Sequence, residues 1–309
     1  MTIQDLVLGT VQLGTPYGIA NTSGMPDEAA AVALIRSAVK AGVTTLDTAR
    51  AYGESEPRIG KALVGLEFTG TIITKLSPLA DLDINSAPDE IERCVRGDVE
   101  TSRALLGQET LDCLLLHRAE HLTLWNGKVW QVLQALVREG RIRRIGASVQ
   151  SPAEAKLAFA AAGLSHIQLP LNILDDRWHE AGIDRLAETR PDITVHARSL
   201  YLQGLLVAGD PDLFPSIEGV DENALVDILT RSVTDFGRDS LADLCLAWAR
   251  SLDWVDGLVI GMETSEQLKD NLKLFASDSL TEKERLSLEA RMPHVPETLL
   301  NPALWPNNS

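Results

Sequence analysis

Four residues of this 309-residue chain have side chains suited to moving a proton: Asp47, Tyr52, Lys75 and His117. A phenol with a pKa of about 10 is a poor proton donor or acceptor at neutral pH unless a nearby cation stabilises its phenolate. A lysine held and kept charged by a carboxylate is such a cation. Asp47, Lys75 and Tyr52 therefore make chemical sense as a set, with the His117 imidazole as a hydrogen-bonding orienter of a carbonyl oxygen. The reaction that suits them is proton delivery to a carbonyl while something else delivers hydride. A plain structural reading, with Asp47 capping a loop and Lys75 pairing with it, leaves Tyr52 and His117 unexplained. The His117-x₃-His121 spacing suits zinc on a helix, but His117 ends an apolar run and no third ligand is near, so no metal is expected.

These residues must be positioned by the elements that precede them. The short run Thr44-Thr45-Leu46 breaks at Asp47, and a helix follows from Glu54 to Leu63. Thr71 to Thr74 ends at Lys75, and the apolar run Leu111 to Leu116 ends at His117. The same alternation fills the chain. Strands are expected at Leu6–Leu8, Ile142–Ala147, His166–Leu169, Ile193–Ala197 and Gly257–Ile260. Helices are expected from Pro26-Asp27 to Ala41, at Pro88–Leu106, Trp125–Glu139, from Ser151-Pro152, at Arg177–Thr189, Asn223–Phe236, Ser240–Ser251 and Ser265–Phe275. Eight short apolar strands, each followed by a helix, predict parallel strands joined by crossovers: an α/β protein with a single-domain (β/α)₈ TIM barrel over 1–309, carrying a C-terminal tail at about 280–309. No GxGxxG follows a strand and no GxxxxGK(S/T) occurs. Barrels place chemistry at the C-terminal strand ends. Those ends read Asp47, Lys75, His117, Ser148, Gln168 with Asn172, and Arg198 with Ser199.

The balance of 28 Lys and Arg against 44 Asp and Glu gives a net charge of −16 without a basic run, which disfavours nucleic-acid and anionic-membrane partners. Cys94, Cys113 and Cys245 are odd in number and far apart, so no disulfide framework is indicated, and Cys113 and Cys245 read as buried thiols. With no apolar span of about 18 residues and no signal-peptide pattern, the expected setting is cytoplasmic.

The strings LGTVQLGTPYGI, GVTTLDTARAYGESEPRIGKAL, ITKL, CLLLHR, RRIGASV, IQLPLNIL, ARSLYLQGLL and LVIGMETSEQLKDN occur in an order and spacing that resembles the aldo-keto reductases, from about Leu6 to Asn271. The resemblance implies a reductase of aldehydes or ketones that uses NADPH, with NADH as the alternative, and a small-molecule carbonyl substrate. It carries the catalytic set onto Asp47, Tyr52, Lys75 and His117. It further implies that Ser148, Gln168 and Asn172 lie near the nicotinamide amide, and Arg198, Ser199 and Leu200 near its ring and the pyrophosphate. Gln203 and Gly204 would line the pyrophosphate loop, with Gly9 and Thr10 also on the cofactor side. Gly261, Met262, Thr264, Gln267 and Asn271 would serve the adenosine end.

Two departures bear on that picture. An arginine, Arg198, stands where relatives often stack an aromatic on the nicotinamide, which a guanidinium can also do. Where many relatives hold the adenosine 2′-phosphate with Lys and Arg, this chain has Gly261 and Gln267 with Met262 and Glu263 between. Glu263 would repel a phosphate, whereas Thr264 would bind one. Among the six tryptophans, Trp178 and Trp305 are expected in the substrate pocket along with Tyr52 and His117. Two alternatives stay open: an NAD(P)⁺-dependent sugar or alcohol dehydrogenase, and a non-catalytic cofactor-binding subunit on the same barrel. The sequence leaves the oligomeric state open.

Overall fold

A computed structural model describes residues 2–19, 21 and 24–306. The strands are β1 (Leu6–Gly9), β2 (Thr45–Asp47), β3 (Thr71–Lys75), β4 (Leu111–Leu116), β5 (Ile142–Ser148), β6 (His166–Pro170), β7 (Thr194–Arg198) and β8 (Gly257–Gly261). Each is parallel to its neighbours, and β8 returns to β1 in the register Leu6↔Leu258 to Gly9↔Gly261, which closes the barrel. Strands covered on both faces need near-continuous apolar sequence. LDCLLL of β4 is accordingly buried at every position.

The surrounding helices are α1 (Glu28–Lys40), α2 (Ser55–Leu63), α3 (Pro88–Leu106), α4 (Lys128–Arg138), α5 (Pro152–Ala160), α6 (Arg177–Glu180) and α7 (Ile183–Glu188). After β7 come α8 (Leu205–Ala208), α9 (Glu222–Asp235) and α10 (Leu241–Ala249), and after β8 come α11 (Ser265–Ala276), α12 (Glu282–Glu289) and α13 (Glu297–Leu300). Local signals explain many of their ends. Asp27 and Ser240 cap α1 and α10 by accepting from Ala30 N and Asp243 N. Pro88 opens α3, and Gly107 closes it in the left-handed region at φ 66°.

Two helices differ from the sequence expectation. The one expected from Trp125 starts at Lys128, because Trp125 and Asn126 adopt φ 52° and 55° and the indole donates to Asp83 O at 2.9 Å. The one expected over Arg177–Thr189 divides into α6 and α7 at Gly182, whose φ of 73° no continuous helix accepts. Seven strands also run one residue further than expected, taking Gly9, Asp47, Lys75, Ser148, Pro170, Arg198 and Gly261 into the ladder or its last position.

Alternation along the strands decides what enters the lumen. Asp47 pairs with Ile73, Lys75 with Leu115, Ser148 with Gln168, and Gln168 with His196. Residues in such a row share a face, so these side chains form layers inside the barrel. Ile73, Cys113 and Leu115 make a small buried cluster separate from the large core between barrel and helices. Burial pushes the Cys113 and Cys245 thiols up to about 12, as fits inert core cysteines. Deeper in the lumen, His166 and His196 meet edge to face at 4.4 Å. Among the described residues, no helix is long and apolar enough to cross a membrane.

Candidate active site

Asp47 is anchored before it does anything else. Its carbonyl accepts from Thr10 N at 3.0 Å and Thr10 Oγ1 at 2.7 Å, tying the end of β2 to that of β1. Its carboxylate meets Lys75 Nζ at 2.9 and 2.8 Å, and Gln168 Nε2 donates to Oδ1 at 2.8 Å across the lumen. Lys75 Nζ also donates to Thr48 O at 3.0 Å, so all three of its protons have acceptors. Burial works to lower the Lys75 ammonium, but the opposing charge of Asp47 and then Tyr52 outweighs it, and its pKa lies above the ordinary lysine value.

Tyr52 is held over this pair by a close approach of two loops. A Cβ on Gly14 would fall 1.8 Å from Tyr52 O, and Glu54 N donates to Gly14 O at 3.2 Å, so only glycine lets the first loop lie against the loop after β2. The hydroxyl chain Thr48–Ser55–Thr10, at 2.8 and 2.7 Å, ties α2 to both strands below. Lys75 Nζ then lies 4.9 Å from the centroid of the Tyr52 ring, and the His117 ring meets Tyr52 edge to face at 5.8 Å. Burial first, and then the Lys75 charge, pushes the His117 pKa down to about 3. His117 is therefore neutral at physiological pH, with one N–H to donate.

A cavity of about 600 Å³ opens above these groups. Of the residues expected at the site, Gly9, Thr10, Asp47, Tyr52, His117, Ser148, Gln168, Arg198, Ser199, Leu200, Gln203, Gly204, Gly261 and Gln267 line it. Lys75 lies beneath, 1% exposed. Arg198 donates to Gln150 Oε1 at 2.9 Å and to Val149 O at 3.3 Å; among the described residues it has no carboxylate partner, so its charge stays available. The loop after β7 is strained along the wall: Ser199, Leu202 and Gln203 sit at φ 61°, 45° and 55°, ahead of Gly204 at 97°. Left-handed non-glycine residues cost about 1–2 kcal/mol each and gather at functional walls.

Other expected residues lie elsewhere. Trp178 is 1% exposed and donates from Nε1 to Asp175 Oδ2 at 3.0 Å. It belongs to the core under α6, because the loop after β6 turns the indole inward. Trp305 packs on the core with Nε1 bound to Leu299 O at 2.9 Å, and it too is outside the cavity wall. Met262 is fully buried, because it alternates to the outer face after Gly261. Asn271 is bound to Gln267 O at 2.9 Å, and Asn172 is buried with Oδ1 accepting from Leu174 N. Neither lines the cavity. Thr264 lines a smaller neighbouring cavity instead.

Sequence reasoning missed much of the wall from the first loop, including Val11, Gln12, Tyr17, Gly18 and Asn21, and also Gln150, Tyr201, Val207, Val259 and Ile260. Tyr17 was legible as an aromatic in a Gly/Pro-rich loop after β1. Burial raises its phenol pKa, which Arg198 partly offsets. Gln150 carried no signal beyond standing two residues past the end of β5.

Comparison with known proteins agrees with this architecture. The aldo/keto reductase family profile matches residues 5–290. Aldo-keto reductase YhdN of Bacillus subtilis is 30% identical over 175 residues, 55% of this chain and 52% of its own. Methylglyoxal reductase YeaE of Escherichia coli is 30% identical over 152 residues, 47% of this chain and 46% of its own. The chain thus spans about half the length of the curated relatives it matches. Among solved structures, aldo-keto reductase AKR11C1 from Bacillus halodurans aligns with a TM-score of 0.74 at 23% identity, covering 94% of this chain and 93% of that one. The glycerol dehydrogenase AKR11B4 from Gluconobacter oxydans aligns at 0.70 with the same identity and coverage. Such distant structural likeness speaks for the barrel alone, whereas the profile spans nearly the whole sequence, and by it the chain belongs to the aldo/keto reductase family.

Proposed function

We propose that the protein reduces the carbonyl of an aldehyde or ketone to an alcohol with a nicotinamide dinucleotide, NAD(P)H, and that Tyr52 is the proton donor. The observation that carries this reading is the convergence of a phenol, a neutral imidazole and a buried Lys75–Asp47 pair under one cavity. The cavity also fits a polar ligand of dinucleotide kind. Gln12 Oε1, His117 Nδ1, Gln168 Oε1 and the Tyr201 hydroxyl are buried atoms of lining residues with no partner among the described residues. Each costs about 1–3 kcal/mol until a ligand pairs it. Arg198 adds a cation for a pyrophosphate, and Ser148 and Gln168 offer groups for a carboxamide.

When bound, the cofactor supplies hydride to the carbonyl carbon. His117 donates its N–H to the carbonyl oxygen and orients it. Tyr52 Oη gives its proton to the same oxygen, so the phenol O–H breaks as the alcohol O–H forms. Lys75 stabilises the phenolate left behind, Asp47 keeps Lys75 charged and placed, and solvent returns the proton to Tyr52. In the reverse direction the same phenolate takes the alcohol's proton. A small carbonyl substrate accords with the methylglyoxal reductase among the relatives.

Tyr52→Phe tests the assignment, since it keeps the ring and removes only the hydroxyl. Turnover should fall by about 10²–10⁴-fold while dinucleotide binding, followed by quenching of tryptophan emission, stays within a few-fold. Full turnover in this variant would refute Tyr52 as the donor.

A further inference from the structure

Beyond the main cavity lies a smaller one of about 340 Å³, walled by Pro26, Ala30 and Ala33 at the start of α1 and by Thr264 and Ser265 at the start of α11. Among the described residues, Glu263 is the one common to both walls. A ligand that reached from one cavity into the other would pass Glu263. The smaller cavity is apolar on the α1 side and suits a flat aromatic base.

Glu263 is held in that position. Its N–H donates to Gln267 Oε1 at 2.6 Å, as does Thr264 N at 3.2 Å, while Gln267 N donates to Thr264 Oγ1 at 3.2 Å. This capping box takes up Gln267 N, one of the first-turn amides that a helix start otherwise offers to an anion, and the two amides just before the helix. The Glu263 carboxylate itself has no hydrogen-bond or ion-pair partner among the described residues. Among the described residues, three charged side chains line the main cavity: Asp47, which Lys75 neutralises, then Arg198, engaged with Gln150 at the end of β7, and Glu263. Neither wall carries a lysine or arginine beside Glu263 among the described residues.

We propose that Glu263, set between the two cavities, selects a dinucleotide ending in an unmodified ribose, NAD(H), and rejects the 2′-phosphorylated form. The inference rests on the reading that the main cavity holds a nicotinamide dinucleotide. A ribose diol donates two hydroxyls to a carboxylate, as acidic residues do for the 2′-hydroxyl in other nucleotide sites. A 2′-phosphate instead brings a charge of about −1.5 to −2 against a full negative charge. The α11 dipole offers only about half a positive charge in compensation. Repulsion therefore wins, and the NADPH preference that the sequence resemblance implies is reversed.

Calorimetric titration of the full chain with NADH and with NADPH tests this directly. The wild type should bind NADH about tenfold or more tightly than NADPH, and the gap should narrow as salt screens the carboxylate. Glu263→Gln should bring the two affinities close together, and Glu263→Arg should favour NADPH, with circular dichroism checking the fold of both. NADPH bound as tightly as NADH, or a preference unchanged in Glu263→Gln, would overturn the selectivity while leaving the cofactor reading intact. Failure of both dinucleotides to bind would overturn the proposed function and this inference with it.

Discussion

Replacing Lys75 by Met removes the ammonium that holds Asp47 while keeping a side chain of similar length in the lumen. The two side chains are 1% and 4% exposed, so water cannot take over the lost contacts. Asp47 would keep a single side-chain donor, Gln168 Nε2 at 2.8 Å. Breaking a buried pair from one side costs about 3–5 kcal/mol, a large share of the roughly 5–15 kcal/mol that holds a domain together. Asp47→Asn strands the Lys75 ammonium and should cost about as much. The double variant removes both charges and leaves an amide beside an apolar chain, a neutral replacement that should cost only about 0–2 kcal/mol. Urea unfolding at pH 7.5, followed by circular dichroism, gives all three values. Turnover should fall about 10²-fold or more in each variant, so the double variant would regain stability without activity. Single losses that add within about 0.5 kcal/mol would refute the pairing argument.

Stability should fall with acid. His117 and His196 are held at about 3 and His166 well below its ordinary value of 6.5, chiefly by burial. A depressed histidine leaves stability intact above about pH 6.5 and erodes it as pH drops toward the folded pKa, by about 2 kcal/mol per group at pH 5; urea midpoints unchanged between pH 8 and pH 5 would contradict this. Gly14→Ala puts a methyl 1.8 Å from Tyr52 O, so turnover should drop at least about tenfold with less change in dinucleotide affinity; an unaltered rate would show that the two loops do not fix Tyr52. Trp178→Phe loses the Asp175 bond and should cost about 1–3 kcal/mol in urea unfolding, yet leave kcat/KM near wild type, because the indole is outside the cavity. A changed substrate preference in that variant would return Trp178 to the pocket.

The apolar strand runs, the helix caps and the spacing between them were enough to derive a closed eight-stranded barrel, because each is a short-range signal repeated eight times. Asp47, Lys75 and His117 were legible for the same reason: a polar residue ending an apolar strand stands out, and barrel closure brings strand ends together. Tyr52 was legible as a residue, while its placement depends on Gly14, 38 positions earlier, a contact that no local pattern announces. The fates of Trp178 and Trp305 depended on which way a loop and a tail turned, and an amphipathic ring reads alike in a core and in a pocket. The left-handed turns at Trp125 and at Ser199 to Gly204 override local propensity, and only tertiary packing holds them there. Glu263 was visible in the sequence as an acid among the residues expected at the cofactor's adenosine end. That it lines two cavities, with no lysine or arginine beside it among the described residues, was decided by the packing of α1 against the start of α11.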